Sequence, residues 1–131
     1  MNWEPRFELG VSTMDAEHKG LVAAMNEVFE LDARQAGKAT VDAAIQKLAG
    51  LTKQHFADEE AHMQKVGFAD LRVHQRIHAE LLQKFTAHYT AFQAGQGRVD
   101  PAFFDFLKFW LRSHITGVDR QYVAPRQPAK V

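Results

Sequence analysis

The sequence predicts an all-α protein, an antiparallel up-down-up-down four-helix bundle. Three observations predict it. Helix-start and helix-stop residues divide the chain into four segments. Within each segment apolar residues recur at three- and four-residue steps, the period of one helix face. The connections between segments are short, which makes consecutive helices antiparallel neighbours. The 131 residues suit one domain with a real core rather than two. We divide them into an N-terminal arm over 1–11, a bundle over 12–117 and a C-terminal segment over 118–131.

Ser12, with Asp15 three residues later, forms a capping-box pattern that opens the first helix, and Gly37 is its expected stop. Thr40 is the expected cap of the second helix, which runs to about Val66 with Gly67 as its terminal glycine. Asp70 is the expected cap of the third, which ends near Gly95 or Gly97. Asp100-Pro101 is a cap followed by proline at the first helical position, and Gly117 follows the fourth helix.

The inward stripes follow. The first helix presents Met14, His18, Leu21, Met25 and Val28. The second presents Ile45, Leu48, Thr52, His55, Glu59, then His62 or Met63, then Val66. The third presents Leu71, His74, His78, Leu81, Phe85, Tyr89 and Phe92, and the fourth Phe103, Leu107, Trp110 and His114. Every stripe is largely apolar, and every one carries histidine or glutamate. His18 lies near the start of its helix, His55 and Glu59 near the end of theirs, His74 and His78 near the start, and His114 near the end. In an up-down-up-down bundle those four places share one end. At about 1.5 Å of rise per residue they fall within roughly 5–17 Å of it.

A buried polar group without a partner costs on the order of 1–3 kcal/mol, and an unpaired carboxylate costs more. A cation between the imidazoles and the carboxylate satisfies them together. His55 and Glu59 are four residues apart, about 40° round a helix, as are His74 and His78, so both members of each pair can reach one centre. Asp119 follows His114 by five residues, about 140° round a regular helix. Gly117 between them loosens the helix and lets Asp119 turn back. Five histidines and two carboxylates are too many donors for one zinc-like ion, which takes four, and they suit two ions. Glu59 and Asp119 would each bridge, with a solvent-derived oxygen between the metals. One coordination position then stays open on the metal that has two histidines. Spacing does not name the metal.

Composition narrows the function. Sixteen basic residues balance sixteen acidic ones, so no charge excess points to nucleic acid or an anionic membrane. The chain has no cysteine, which excludes disulfides, thiolate nucleophiles, iron–sulfur clusters and cysteine-type zinc sites. The N-terminus is not that of a secretory signal, and no apolar run has the length of a membrane span, so a cytoplasmic location is expected. No Ser–His–Asp set accompanies the histidines, and hydrolysis is not expected.

The motifs Asp15–Leu21 (DAEHKGL), His55–Met63 (HFADEEAHM), His74–His78 (HQRIH) and Trp110–Tyr122 (WLRSHITGVDRQY) together resemble the bacterial hemerythrins, from about Trp3 to Tyr122. The resemblance implies a non-haem di-iron site at one end of the bundle that binds O2 reversibly, for storage, transport or delivery, in a protein that is not an enzyme. It implies that His74, His78 and His114 hold the six-coordinate iron and that His18 and His55 hold the iron with the vacancy. Glu59 and Asp119 correspond to the bridging carboxylates, completed by a solvent-derived oxygen. Leu21, Phe56, Trp110, Leu111 and Ile115 flank these ligands and are the expected apolar lining of the O2 pocket. O2 is the expected partner, delivered to an oxygen-consuming protein of unknown identity, and the chain is expected to be a monomer. The sequence departs from the family pattern at two places. Gly67-Phe68-Ala69 stands where Gly-Tyr-Pro is frequent, and Glu17 stands where glutamine is common, placing an extra charge near His18.

Three other readings compete with this one. A ferritin-like di-iron enzyme would use Glu59-x-x-His62 and, poorly, Asp15-x-x-His18, leaving His55, His74, His78 and His114 without a role. A sensor of O2, NO or redox state, or an iron-handling module, would use the same di-iron site, but no fused signalling or cysteine-bearing domain is expected from these 131 residues. A metal-free bundle would bury five imidazoles and a carboxylate together. His62 and His88 are expected to be partly exposed or seam residues rather than ligands.

Overall fold

The computed structural model describes residues 12–67 and 69–114. They form four helices: α1 (Ser12–Ala33), α2 (Lys38–Lys65), α3 (Leu71–Ala94) and α4 (Pro101–Ser113). Each packs on its chain neighbour, and α4 returns to α1, so the four close into a bundle. There is no strand among the described residues.

The stripes turn inward as their spacing requires. His18, Leu21, Met25 and Val28 on α1 are buried, as are Ile45, Leu48, Thr52, His55, Glu59 and Met63 on α2. On α3 the buried positions are His74, His78, Phe85 and Phe92, and on α4 they are Phe103, Leu107, Trp110 and Leu111, followed by His114. Burial of such side chains stabilises the bundle by about 1.5–3 kcal/mol for each large apolar residue. His62 is half-buried beside Met63, so the inward position at that turn belongs to methionine.

The helix ends differ in detail from the sequence expectation. Helix α1 closes at Ala33, before Gly37. Ala36 N–H donates to the Leu31 carbonyl and Gln35 N–H to the Asp32 carbonyl, both at 3.0 Å. This is the paired bonding of a Schellman turn, and it places Gln35 rather than a glycine in the left-handed region, at φ 53°. Gly37, at φ 106°, opens α2 instead, and Thr40 therefore lies within the first turn of α2. Asp70 precedes α3 but makes no side-chain capping bond. Asp100 does cap α4, accepting from the Ala102 N–H at 2.8 Å with Pro101 at the first helical position.

The end of the bundle away from the histidines is laced by side chains. The buried Asp32 carboxylate, near the end of α1, accepts from the Val99 N–H at 2.8 Å and from Arg98 Nε at 3.1 Å. Lys38, at the start of α2, donates through its Nζ to the carbonyls of Gln93 and Gly95 at the end of α3. Gly97 has φ 94°, and a Cβ there would stand 2.9 Å from Lys38 Cβ. Only glycine meets both conditions. These ties gather the end of α1, the start of α2, the end of α3 and the start of α4, which makes the bundle antiparallel throughout. The start of α1, the end of α2, the start of α3 and the end of α4 consequently share the opposite end.

Asp32→Ala leaves the buried Val99 N–H without its acceptor. We expect a loss of roughly 1–3 kcal/mol in unfolding free energy, read from urea denaturation. An unchanged denaturation midpoint would mean that the Val99 amide is satisfied elsewhere.

Candidate metal centre

The histidine end is built around one carboxylate. Glu59 is fully buried near the end of α2. Its Oε2 lies 3.3 Å from His55 Nε2 and 3.9 Å from His18 Nε2. Its Oε1 lies 3.0 Å from His78 Nε2 and 3.1 Å from His114 Nε2. The His18 and His55 Nε2 atoms are 3.1 Å apart. All four imidazoles are buried. The donors fall into two groups, His18–His55–Glu59 and Glu59–His78–His114, each with its ligand atoms within 4.8 Å of one another. Glu59 belongs to both groups, one oxygen to each.

The residues fit a pair of metal ions. Two donors about 2.1 Å from one ion and at right angles stand about 3.0 Å apart. Separations of 3.0, 3.1, 3.1 and 3.3 Å are of that size. The chemistry of the set agrees, since it pairs neutral nitrogen donors with a carboxylate that can bridge.

His74 is fully buried one turn before His78, with the two rings 6.3 Å apart, and among the described residues it belongs to neither group. Asp119 and Ile115 lie outside the described residues. Leu21, Phe56, Trp110 and Leu111 are all buried in the hydrophobic core. Phe56 stacks face to face on His78 at 4.0 Å between ring centroids and stands 5.4 Å from His114. Trp110 is 5.8 Å from His114, so both aromatic rings press mainly on the His78–His114 side. A cleft of about 200 Å³ between α3 and α4 reaches His114 from the surface past Ile77, Leu81, Phe106 and Phe109. His88 is far from this end, stacked against Phe103 and Phe106 at 5.2 and 5.1 Å.

Two outer carboxylates touch the donors from behind. His55 Nδ1 is 2.8 Å from Glu17 Oε1, and His78 Nδ1 is 2.8 Å from Glu60 Oε2. Partial burial raises the Glu17 carboxyl above its ordinary value; the neighbouring Asp58 adds to the rise and His55 opposes it. The same contact with Glu17, aided by Gln54, holds Asp58 below its ordinary value. The sequence marked Glu17 as a departure but gave it no partner, and it gave Glu60 no role. A helical wheel could have flagged Glu60, which sits about 100° round α2 from Glu59.

The hemerythrin HHE cation binding domain family matches residues 9–124 of the sequence. The chain belongs to the hemerythrin family. Hemerythrins are known for binding O2 at a non-haem di-iron centre. Over 120 residues the chain is 32% identical to a myohemerythrin of Riftia pachyptila, covering 92% of this chain and 88% of that one. It is 31% identical over 122 residues to a bacteriohemerythrin of Pseudomonas aeruginosa, covering 92% and 78%. The crystal structure of a wild-type hemerythrin superimposes with a TM-score of 0.85 at 28% identity, covering 95% of each chain. No helix among the described residues is long and apolar enough to cross a membrane.

Metal binding should be linked to stability here, because without cations the bundle buries four imidazoles around one carboxylate. Loading the apo chain with iron is expected to raise its melting temperature. Acid should reverse the gain, since protonated imidazoles repel a cation. Superimposable melting curves for apo and loaded chains would contradict this.

Proposed function

We propose that this hemerythrin binds O2 reversibly at two non-haem irons and serves oxygen storage, transport or delivery. His18 and His55 would hold the iron with the open position. His74, His78 and His114 would hold the other, with His74 completing a set whose nearer members already face Glu59. Glu59 would serve both ions, and Asp119, which the sequence motif assigns to the same role, would join it together with a solvent-derived oxygen. The observation that carries the reading is the division of Glu59 between two groups of donors, one carboxylate oxygen to each.

The irons would supply the electrons and the open coordination position that O2 needs. The chain's own part is to hold the donors, exclude water and withhold protons. Leu21 and Leu111 are about 1% exposed, and each lies three residues from a histidine of the set on the same helix face. Phe56 and Trp110 close the layer from the core side. This surround would keep water, anions and protons away from the position that O2 would take.

The test is a visible spectrum of iron-loaded protein cycled between anaerobic and aerobic buffer. The oxygenated band should appear with O2 and vanish on its removal. A band that never forms, or that forms once and cannot be reversed, would reject reversible binding. Leu111→Ala should open a cavity at a fully buried position, at a cost of roughly 2–5 kcal/mol, while leaving the ligands in place. We expect the oxygenated band still to form but to decay to the oxidised form faster than in the parent. Phe85→Ala, nearer the opposite end, should destabilise the fold without that acceleration. Equal decay in Leu111→Ala and the parent, with iron retained, would take Leu111 out of the pocket lining.

A further inference from the structure

Two partly exposed glutamates outside the metal layer each meet one histidine of one group. Glu17 contacts His55 Nδ1 at 2.8 Å, with side chains 27% and 0% exposed. Glu60 contacts His78 Nδ1 at 2.8 Å, with side chains 29% and 2% exposed. The inner nitrogens of the same two rings meet Glu59, His55 Nε2 on Oε2 and His78 Nε2 on Oε1. The result is one unbroken chain of contacts, Glu17–His55–Glu59–His78–Glu60, that crosses the site from α1 through α2 to α3 and back to α2. Both histidines are held at both ring nitrogens.

We infer that Glu17 and Glu60 are positioning residues, one for each metal of the pair. Each carboxylate fixes the proton of its histidine on Nδ1, turns the Nε2 lone pair inward and strengthens that nitrogen as a donor. The inference rests on the two-metal reading above. An imidazole N–H that faces a carboxylate settles in the tautomer that donates to it, which leaves the other nitrogen free to bind a cation. The negative charge behind the ring also raises its basicity as a ligand. Local geometry explains how the chain achieves this. Glu17 and His18 are adjacent on α1 and point about 100° apart, so α1 sends one side chain into the layer and the other across to α2. Glu59 and Glu60 do the same from α2, one inward and one toward α3. The doublet of acidic residues therefore divides into a carboxylate between the metals and a carboxylate behind a ligand.

Cobalt(II) titration of the apo chain tests this without oxygen chemistry, with the absorption of bound cobalt as readout. The parent should take two ions. Glu17→Gln keeps an acceptor for His55 and removes the charge; it should weaken one of the two ions by about 10–100-fold and leave the other unchanged. Glu60→Gln should weaken the other ion by a similar factor, and the double variant should weaken both. In the cobalt-loaded parent the His55 Nδ1 proton, shifted by the metal, should exchange slowly with water, and in Glu17→Gln it should exchange faster. Both positions are partly exposed, so apo melting curves should match the parent. Parent-like cobalt affinity in both single variants would overturn the inference and leave the two-metal reading standing. Affinity lost only in step with apo stability would also overturn it, by showing a packing role. A parent that binds no pair of ions would remove the two-metal reading and the inference with it.

Discussion

A single buried carboxylate organises the histidine end of this bundle. Isolated in a protein interior, Glu59 would be strongly unfavourable, because the solvation a carboxylate loses on burial amounts to several kcal/mol even after relaxation. Here it meets an imidazole nitrogen from each of α1, α2, α3 and α4. The arrangement is costly without a cation and favourable with one, and with two oxygens facing two groups it suits a pair. The fold has to bring four helices to this carboxylate at one level, which an antiparallel bundle does with short connections.

The opposite end supplies the counterpart. Asp32, Lys38 and Gly97 fasten the helix ends there by bonds and close approach that involve no metal. The apolar seam between the two ends is continuous, from Met25 and Val28 to Phe103 and Leu107. Stability is thus carried by the seam and the laced end, which leaves the histidine end able to hold polar groups that would not form a core of their own. Membership of the hemerythrin family fits this division, since that family places non-haem irons and O2 in a four-helix bundle.

Much of this was legible in the sequence. Periodicity gave the four helices and the inward positions, because the direction of a side chain on a helix follows from its place in the 3.6-residue turn. It brought His18, His55, Glu59, His78 and His114 to one level for the same reason. Periodicity does not fix how far one helix is rotated or shifted against the next. His74 shares the His78 face and belongs to neither of the two groups found among the described residues; spacing alone does not say how near the other donors it comes. Glu17 and Glu60 lie between the inward and outward faces, where a stripe analysis assigns nothing, and their contacts with His55 and His78 depend on the neighbouring helix. The turn after α1 was placed at Gly37 because glycine is the usual left-handed residue; Gln35 takes that conformation instead, under the pull of two backbone hydrogen bonds. Asp119 and Ile115 lie outside the described residues, and their roles rest on the sequence motif alone.

We propose that Glu59 is shared by two metals. Iron measured per folded chain, in the parent and in Glu59→Ala loaded identically without oxygen, tests it most directly. About two irons are expected in the parent, from the two groups of donors, and almost none in the variant, because removing one shared ligand disables both sites together. A folded Glu59→Ala chain that still retained one full iron would show instead that the carboxylate serves a single metal.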